Sequence, residues 1–174
     1  MFFWAVMTNM EELRNAVRGA KQIVIVCGAG ISTGAGLPDF KNMYKRNPEL
    51  LQALNKRSYK HHTNALSAFL VSFANKYPHP TSTHYFMKAL NSSQKLRRCY
   101  TMNIDNLETL VLPKNKVRHV HGSISDAARC GRMHVSSEVM LQTVAKNKLE
   151  QYNEEHKCSL RPGFVMYGDD VRHT

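Results

Sequence analysis

No stretch of this 174-residue chain approaches the ~20 consecutive apolar residues that a membrane-spanning helix requires. The opening MFFWAVM is apolar, but it lacks a basic flank, a longer apolar stretch and a small-residue cleavage site. It therefore reads as a strand or a hydrophobic tuck before the first helix, not as a secretory signal. Cysteine is scarce and scattered, at Cys27, Cys99, Cys130 and Cys158, with two of the four in apolar strand-like runs. That pattern predicts reduced thiols in an intracellular protein and not a disulfide framework. Acidic residues are few as well. Asp plus Glu is 13 against 24 for Lys plus Arg, a net charge of +11, which favours phosphates, nucleic acid or acidic proteins as partners. Internal repeats and low-complexity tracts are absent. With 43% hydrophobic and 21% charged residues, the chain suits one domain with a real core.

What is present alternates between helix and strand patterns. Thr8 and Glu11 stand at capping-box spacing, and Met10, Leu13, Ala16, Val17 and Ala20 then recur at helical intervals. Gln22–Cys27 is a continuous β-branched run of the kind that forms a buried parallel strand. It empties into GAGISTGAGLPDF, whose glycines and proline demand a tight loop. Pro48 opens a helix carrying Leu50, Leu51 and Leu54. Further helices are expected over about 64–76, with Leu66, Phe69, Leu70 and Phe73 on one face, and over 82–90, with His84, Met87 and Leu90. Leu96–Met102 and Val117–Val120 read as strands, Ser136 and Ser137 as the cap of a helix ending near Lys148, and Phe164–Tyr167 as a last short strand.

This order predicts an α/β fold with a parallel, Rossmann-like sheet flanked by helices. Such sheets bind ligands beyond the carboxyl ends of their strands. GAGIS follows the first strand, NID the second and HG the third, so three polar loops converge on one edge. Gly28, Gly30 and Gly34 let the backbone approach a phosphate. Their spacing is not that of the dinucleotide fingerprint G-x-G-x-x-G, and a plain glycine turn is the competing explanation.

The longer strings are more specific. GAGISTGAGLPDF, HPTSTHYFMKAL, TMNIDNLE, RHVHGS and LRPGFVMYGDD occur in that order between Gly28 and Asp170. Together they resemble the signature segments of the sirtuin (silent information regulator 2) family, in particular the class of yeast and animal nuclear and cytosolic deacetylases. The resemblance implies an NAD-dependent protein-lysine deacetylase, converting acetyl-lysine and NAD to lysine, nicotinamide and O-acetyl-ADP-ribose. It places the catalytic histidine at His121. It implies cofactor contacts from Gly28, Ala29, Gly30, Ser32, Asp39, Phe40, Lys41, Met102, Asn103, Ile104 and Asp105, and substrate contacts around Val165 and Gly168. An acetylated protein such as a histone tail, chromatin-associated partners and a nuclear or cytoplasmic location follow from the same likeness.

The chain also departs from the family. Lys41 replaces an arginine and loses its planar fork. Met102 replaces a glutamine whose hydrogen bond a thioether cannot make, so weaker NAD binding is expected. The family's structural zinc needs two Cys-x-x-Cys pairs. Here only Cys130 and Cys158 stand near those positions, with His134 and His156 as further candidate ligands and a metal-free subdomain as the alternative. The expected layout is a Rossmann-like part over 1–40 and 78–125, a helical insertion over 41–77 and a degenerate zinc-ribbon-like insertion over 126–162. Against the family, the chain reads as truncated after GDDVRHT. That leaves a catalytically impaired NAD- or ADP-ribose-binding or partner-binding module as the alternative function. The basic stretch Lys41, Lys45, Arg46, Lys56, Arg57 and Lys60 reads as a solvated helical face, because aromatic residues are not interleaved as a nucleic-acid platform requires.

Overall fold

The computed structural model describes residues 9–37, 40–74 and 79–170, apart from the side chains of Phe40, Lys41, Arg46 and Ala74. The elements in chain order are α1 (Met10–Gly19), β1 (Ile23–Cys27), α2 (Phe40–Arg46), α3 (Glu49–Ala53), α4 (Thr63–Ala74), α5 (Ser82–Ser92) and β2 (Leu96–Thr101). Then come β3 (Val117–His119), β4 (Ala128–Cys130), β5 (Met133–Val135), α6 (Ser137–Ala145), α7 (Leu149–Glu155) and β6 (Leu160–Arg161). The cap of α1 is Asn9, whose side chain accepts from the amides of Glu11 and Glu12, in place of the expected Thr8, which lies outside the described residues, as does MFFWAVM.

β1, β2 and β3 form a parallel sheet in that order, with Cys27 opposite Thr101 and Thr101 opposite His119. The register brings all three carboxyl ends to the same level. One face packs on α5, where Cys27, Cys99, Met87, Leu90, Leu96 and Val117 make a core. The other face, carrying Val24, Val26 and Tyr100, is exposed, with Val26 at 68%. The expectation of a strand buried on both faces is thus corrected. Parallel sheets bury both faces only where elements cover both, and none of the described elements covers this one.

A second, larger core joins segments far apart in sequence. Leu50, Leu54, Leu66 and Leu70 from α3, α4 and the turn after α3 pack with Met140 and Leu149 from α6 and α7, and with Leu160, Phe164 and Met166. The helical segment and the later insertion therefore share one interior. The insertion holds an antiparallel sheet of order β5–β4–β6, which the sequence pattern does not announce. Three-residue strands carry too little alternation to be read. Phe164–Tyr167 is not a strand of a sheet. It makes a single parallel bridge, Asn55 to Tyr167, and otherwise runs as an extended wall.

Two cysteine expectations are also corrected. Cys130 and Cys158 are joined as a disulfide, with their Cα atoms 5.4 Å apart, while Cys27 and Cys99 are free and buried. Because each sulfur of the pair is bonded to the other, neither is a thiolate available to a metal. His134 is exposed on β5, and His156 stacks on Tyr152 with ring centroids 4.0 Å apart. Among the described residues no group of three or more His, Cys, Asp and Glu side chains is placed to hold a metal ion. The donor set does not fit a tetrahedral zinc.

Candidate active site

The three strand ends open on a cavity of about 440 Å³. That volume lies within the range of small-molecule sites. Gly28 and Ala29 line it from the loop after β1; Met102, Asn103 and Ile104 from the loop after β2; His121 from the loop after β3. Val165 and Gly168 form the opposite wall. Of the other expected residues, Gly30, Ser32 and Asp105 do not line the cavity, and Asp39 and the side chains of Phe40 and Lys41 lie outside the described residues. Asp105 instead accepts the Leu107 amide at 3.0 Å, shaping the next turn.

Asn103 is 4% exposed and tightly held. Its amide nitrogen donates to the Gly28 carbonyl at 3.2 Å, to Ser32 Oγ at 3.3 Å and to Glu108 Oε1 at 3.3 Å. The Gly28 carbonyl can only accept, so the nitrogen must face the loop, and Oδ1 is left as the group available to a ligand. Glu108 is fully buried and also takes the Thr101 hydroxyl at 2.5 Å, while Thr101 Oγ1 accepts the Asn103 backbone amide at 3.0 Å. One carboxyl group thus ties the ends of β1 and β2 together.

Both histidines reach back to the loop after β2. His121 Nδ1 lies 3.2 Å from the Met102 carbonyl, and His119 Nδ1 lies 3.4 Å from the Asn103 carbonyl. A carbonyl cannot donate, so the neutral His121 ring carries its proton on Nδ1 and leaves Nε2 unprotonated. His121 lies on the cavity; His119 does not line it. Gly122, at φ +71°, follows His121, and a Cβ there would press on the Phe164 backbone at 3.1 Å. The close approach lets the Val165 amide donate to the His121 carbonyl at 2.7 Å.

Sequence reasoning missed several participants. Leu54, Phe164 and Asp169 also line the cavity, as do Met166 and Tyr167 within the expected Val165 to Gly168 segment. Leu54 carries no signal, because it arrives from a distant helical segment. Thr81 was visible only as part of a motif; its hydroxyl donates to the Ile31 carbonyl at 2.8 Å and anchors the glycine loop. Asp169 accepts from both terminal nitrogens of Arg161 and from the Met166 amide, and lies 3.6 Å from Lys56 Nζ. Burial pushes its carboxyl up, but the Arg161 and Met166 hydrogen bonds and the Arg161 and Lys56 charges outweigh that and hold it below the usual range. A carboxyl with a depressed folded-state pKa contributes stability that is complete above its unfolded value and lost as pH falls through the folded one. Asp169→Asn is expected to lower the melting temperature at neutral pH and to flatten its decline between about pH 5 and about pH 3. Parallel wild-type and variant curves over that window would overturn this.

The model of the Sir2 family matches residues 28–174, which contain all of these loops. The chain belongs to the Sir2 family. It is 32% identical over 183 residues to the NAD-dependent protein deacetylase hst2 of Schizosaccharomyces pombe, covering 94% of this chain and 53% of that protein. It is 30% identical to the NAD-dependent deacetylase sir2A of Dictyostelium discoideum, with 94% of this chain and 35% of that protein covered. The chain thus spans about a third to a half of the length of these relatives. In three dimensions it resembles Sir2Tm, solved with a propionylated peptide, at a TM-score of 0.71 and 21% identity, over 95% of this chain and 67% of that one. At that identity the likeness establishes the fold, a sirtuin-type Rossmann-like architecture. Among the described residues no helix is long and apolar enough to cross a membrane.

Proposed function

We propose that this Sir2-family chain carries the His121 side of an NAD-dependent protein-lysine deacetylase site. The supporting observation is the single cavity on which Gly28, Asn103, His121 and Val165 meet, with the His121 base and the Asn103 acceptor both oriented by backbone carbonyls. NAD, when bound, supplies the ribosyl group that leaves nicotinamide and takes up the acetyl group. The residues present fit such a ligand. Gly28 and Ala29 offer close backbone approach, Asn103 Oδ1 accepts from an amide or hydroxyl, Ile104 gives an apolar side, and His121 Nε2 removes a proton from a hydroxyl. Ser32 holds the Asn103 amide from behind, and Gly30 and Asp105 belong to this reading from their motifs. Asp39, Phe40 and Lys41 belong to the same reading from their motif alone.

The substrate in this reading is an acetylated protein, such as a histone tail, with chromatin-associated partners and a nuclear or cytoplasmic location. The Val165, Met166 and Tyr167 amides already donate to His121, Asp169 and Leu54. A peptide would therefore meet this wall through side chains, through Gly168 and through main-chain carbonyls such as that of Val165. Nicotinamide release from NAD, measured with and without an acetyl-lysine peptide, tests the proposal. Peptide-dependent release supports it. An NAD-induced rise in melting temperature without release would favour the binding-module alternative.

Met102 gives a quantitative check. Its side chain lines the cavity and its Cε lies 3.8 Å from where a Cβ on Gly28 would stand. Met102→Gln restores a hydrogen-bonding group worth about 1 kcal/mol, so NAD is expected to bind about fivefold more tightly by calorimetry. Unchanged or weaker binding would show that this side chain does not face the cofactor.

A further inference from the structure

The two walls of the cavity have a common root. β4 grows out of the turn that follows His121, and β6 runs directly into the Phe164–Asp169 wall. The strands pair antiparallel, with Cys130 opposite Leu160, and at the far end the Val165 amide meets the His121 carbonyl at 2.7 Å. Gly163 allows this approach, since a Cβ there would collide with the Ala127 carbonyl at the start of β4. The disulfide closes the base of the pair. Cys130 is 2% exposed within the large core, and Cys158 is half-buried against it.

The candidate metal site at this place is not supported by the side chains around it. Met133, in the partner position to Cys130, is 56% exposed. His156 Nδ1 lies 2.9 Å from the Tyr152 carbonyl, with its ring stacked on Tyr152. We propose that the Cys130–Cys158 disulfide takes the place of a zinc clamp in this chain and is a redox site that holds the His121 and Val165 walls in register. A small dithiol attacks the more accessible Cys158 sulfur, and Cys130 leaves as a thiolate. The second thiol then resolves the mixed disulfide, so the reagent is oxidised by two electrons and both cysteines end as thiols. A small disulfide such as oxidised glutathione reverses the exchange by accepting the two electrons.

The test uses the full chain purified without reductant or added metal, and its readouts are independent of whether the cavity turns over NAD. Titration with a thiol reagent in denaturant is expected to find two thiols, Cys27 and Cys99, rising to four after reduction. Elemental analysis is expected to find no stoichiometric zinc. A chelator is expected to leave the melting temperature unchanged, and dithiothreitol to lower it by roughly 5–10 °C. Reduction is also expected to accelerate hydrogen exchange at the Val165 amide. Four thiols before reduction, with or without bound zinc, would overturn the disulfide. Two thiols with Val165 exchange unaffected by reduction would overturn its role in the cleft. The Cys130→Ser/Cys158→Ser double variant should melt identically with and without dithiothreitol; if it does not fold, the wild-type titration and exchange still decide both points.

Discussion

His121→Ala is expected to reduce peptide-dependent nicotinamide release and deacetylation by about 10²–10⁴-fold, the usual contribution of a positioned general base. NAD affinity should change far less. The argument rests on the ring's orientation. The Met102 carbonyl, 3.2 Å from Nδ1, selects the tautomer with Nε2 free, and the loop that carries the ring is pinned through the Val165 amide. Alanine removes the base and its contact with the Met102 carbonyl but leaves the Val165 main-chain hydrogen bond in place, so the melting temperature should stay within a few degrees of wild type. His121→Gln, which can hydrogen-bond but cannot take up a proton at neutral pH, should be almost as impaired. Retention of wild-type turnover by either variant would remove His121 from the chemistry. His119→Gln is the matched control, with turnover expected to fall less than in either His121 variant.

Glu108→Ala is expected to be the most destabilising single change near the cavity, costing about 2–4 kcal/mol in denaturant unfolding. Glu108 is fully buried, and its Oε1 receives the Thr101 hydroxyl and the Asn103 side-chain amide at 2.5 and 3.3 Å. Alanine strands the Thr101 hydroxyl, takes one of three acceptors from the Asn103 amide and leaves a cavity beside Cys27, whose Sγ lies 3.7 Å from the same oxygen. Glu108→Gln keeps the volume and one acceptor oxygen, so about half of that loss is expected. Because Asn103 is then less firmly held against Gly28, NAD affinity should fall in both variants. A loss below about 0.5 kcal/mol for alanine, the scale of an ordinary surface change, would show that the network does not hold the loops together.

Much of this was legible in the sequence because it is local. The Gln22–Cys27 run, the glycine loop, NID and HG are each contiguous, and a parallel sheet brings strand ends to one edge whatever lies between them. Pro48 opens its helix and Ser136 caps its own as read, because both signals depend on neighbours one to four residues away. His84, Met87 and Leu90 are buried together, since one helical period suffices to align them.

Other features depend on partners distant in the chain. Nothing near Glu108 indicates that it reaches back to Cys27, and nothing near Leu54 indicates that it lines the cavity. β1 was expected to be buried on both faces because hydrophobicity records what a strand could cover, not what covers it. The cysteines show the division most clearly. The scatter of cysteines pointed to reduced thiols and the family resemblance to a degenerate metal site, since pairing across an intervening hairpin and two helices leaves no local trace. The sequence by itself determined the family, the Rossmann-like order of elements and the three loops that meet at the sheet edge. Only the tertiary structure decided that Asn103 and His121 are oriented by backbone carbonyls, that the two insertions share one core, and that Cys130 is bonded to Cys158. Each of these depends on distances between residues the chain itself keeps apart.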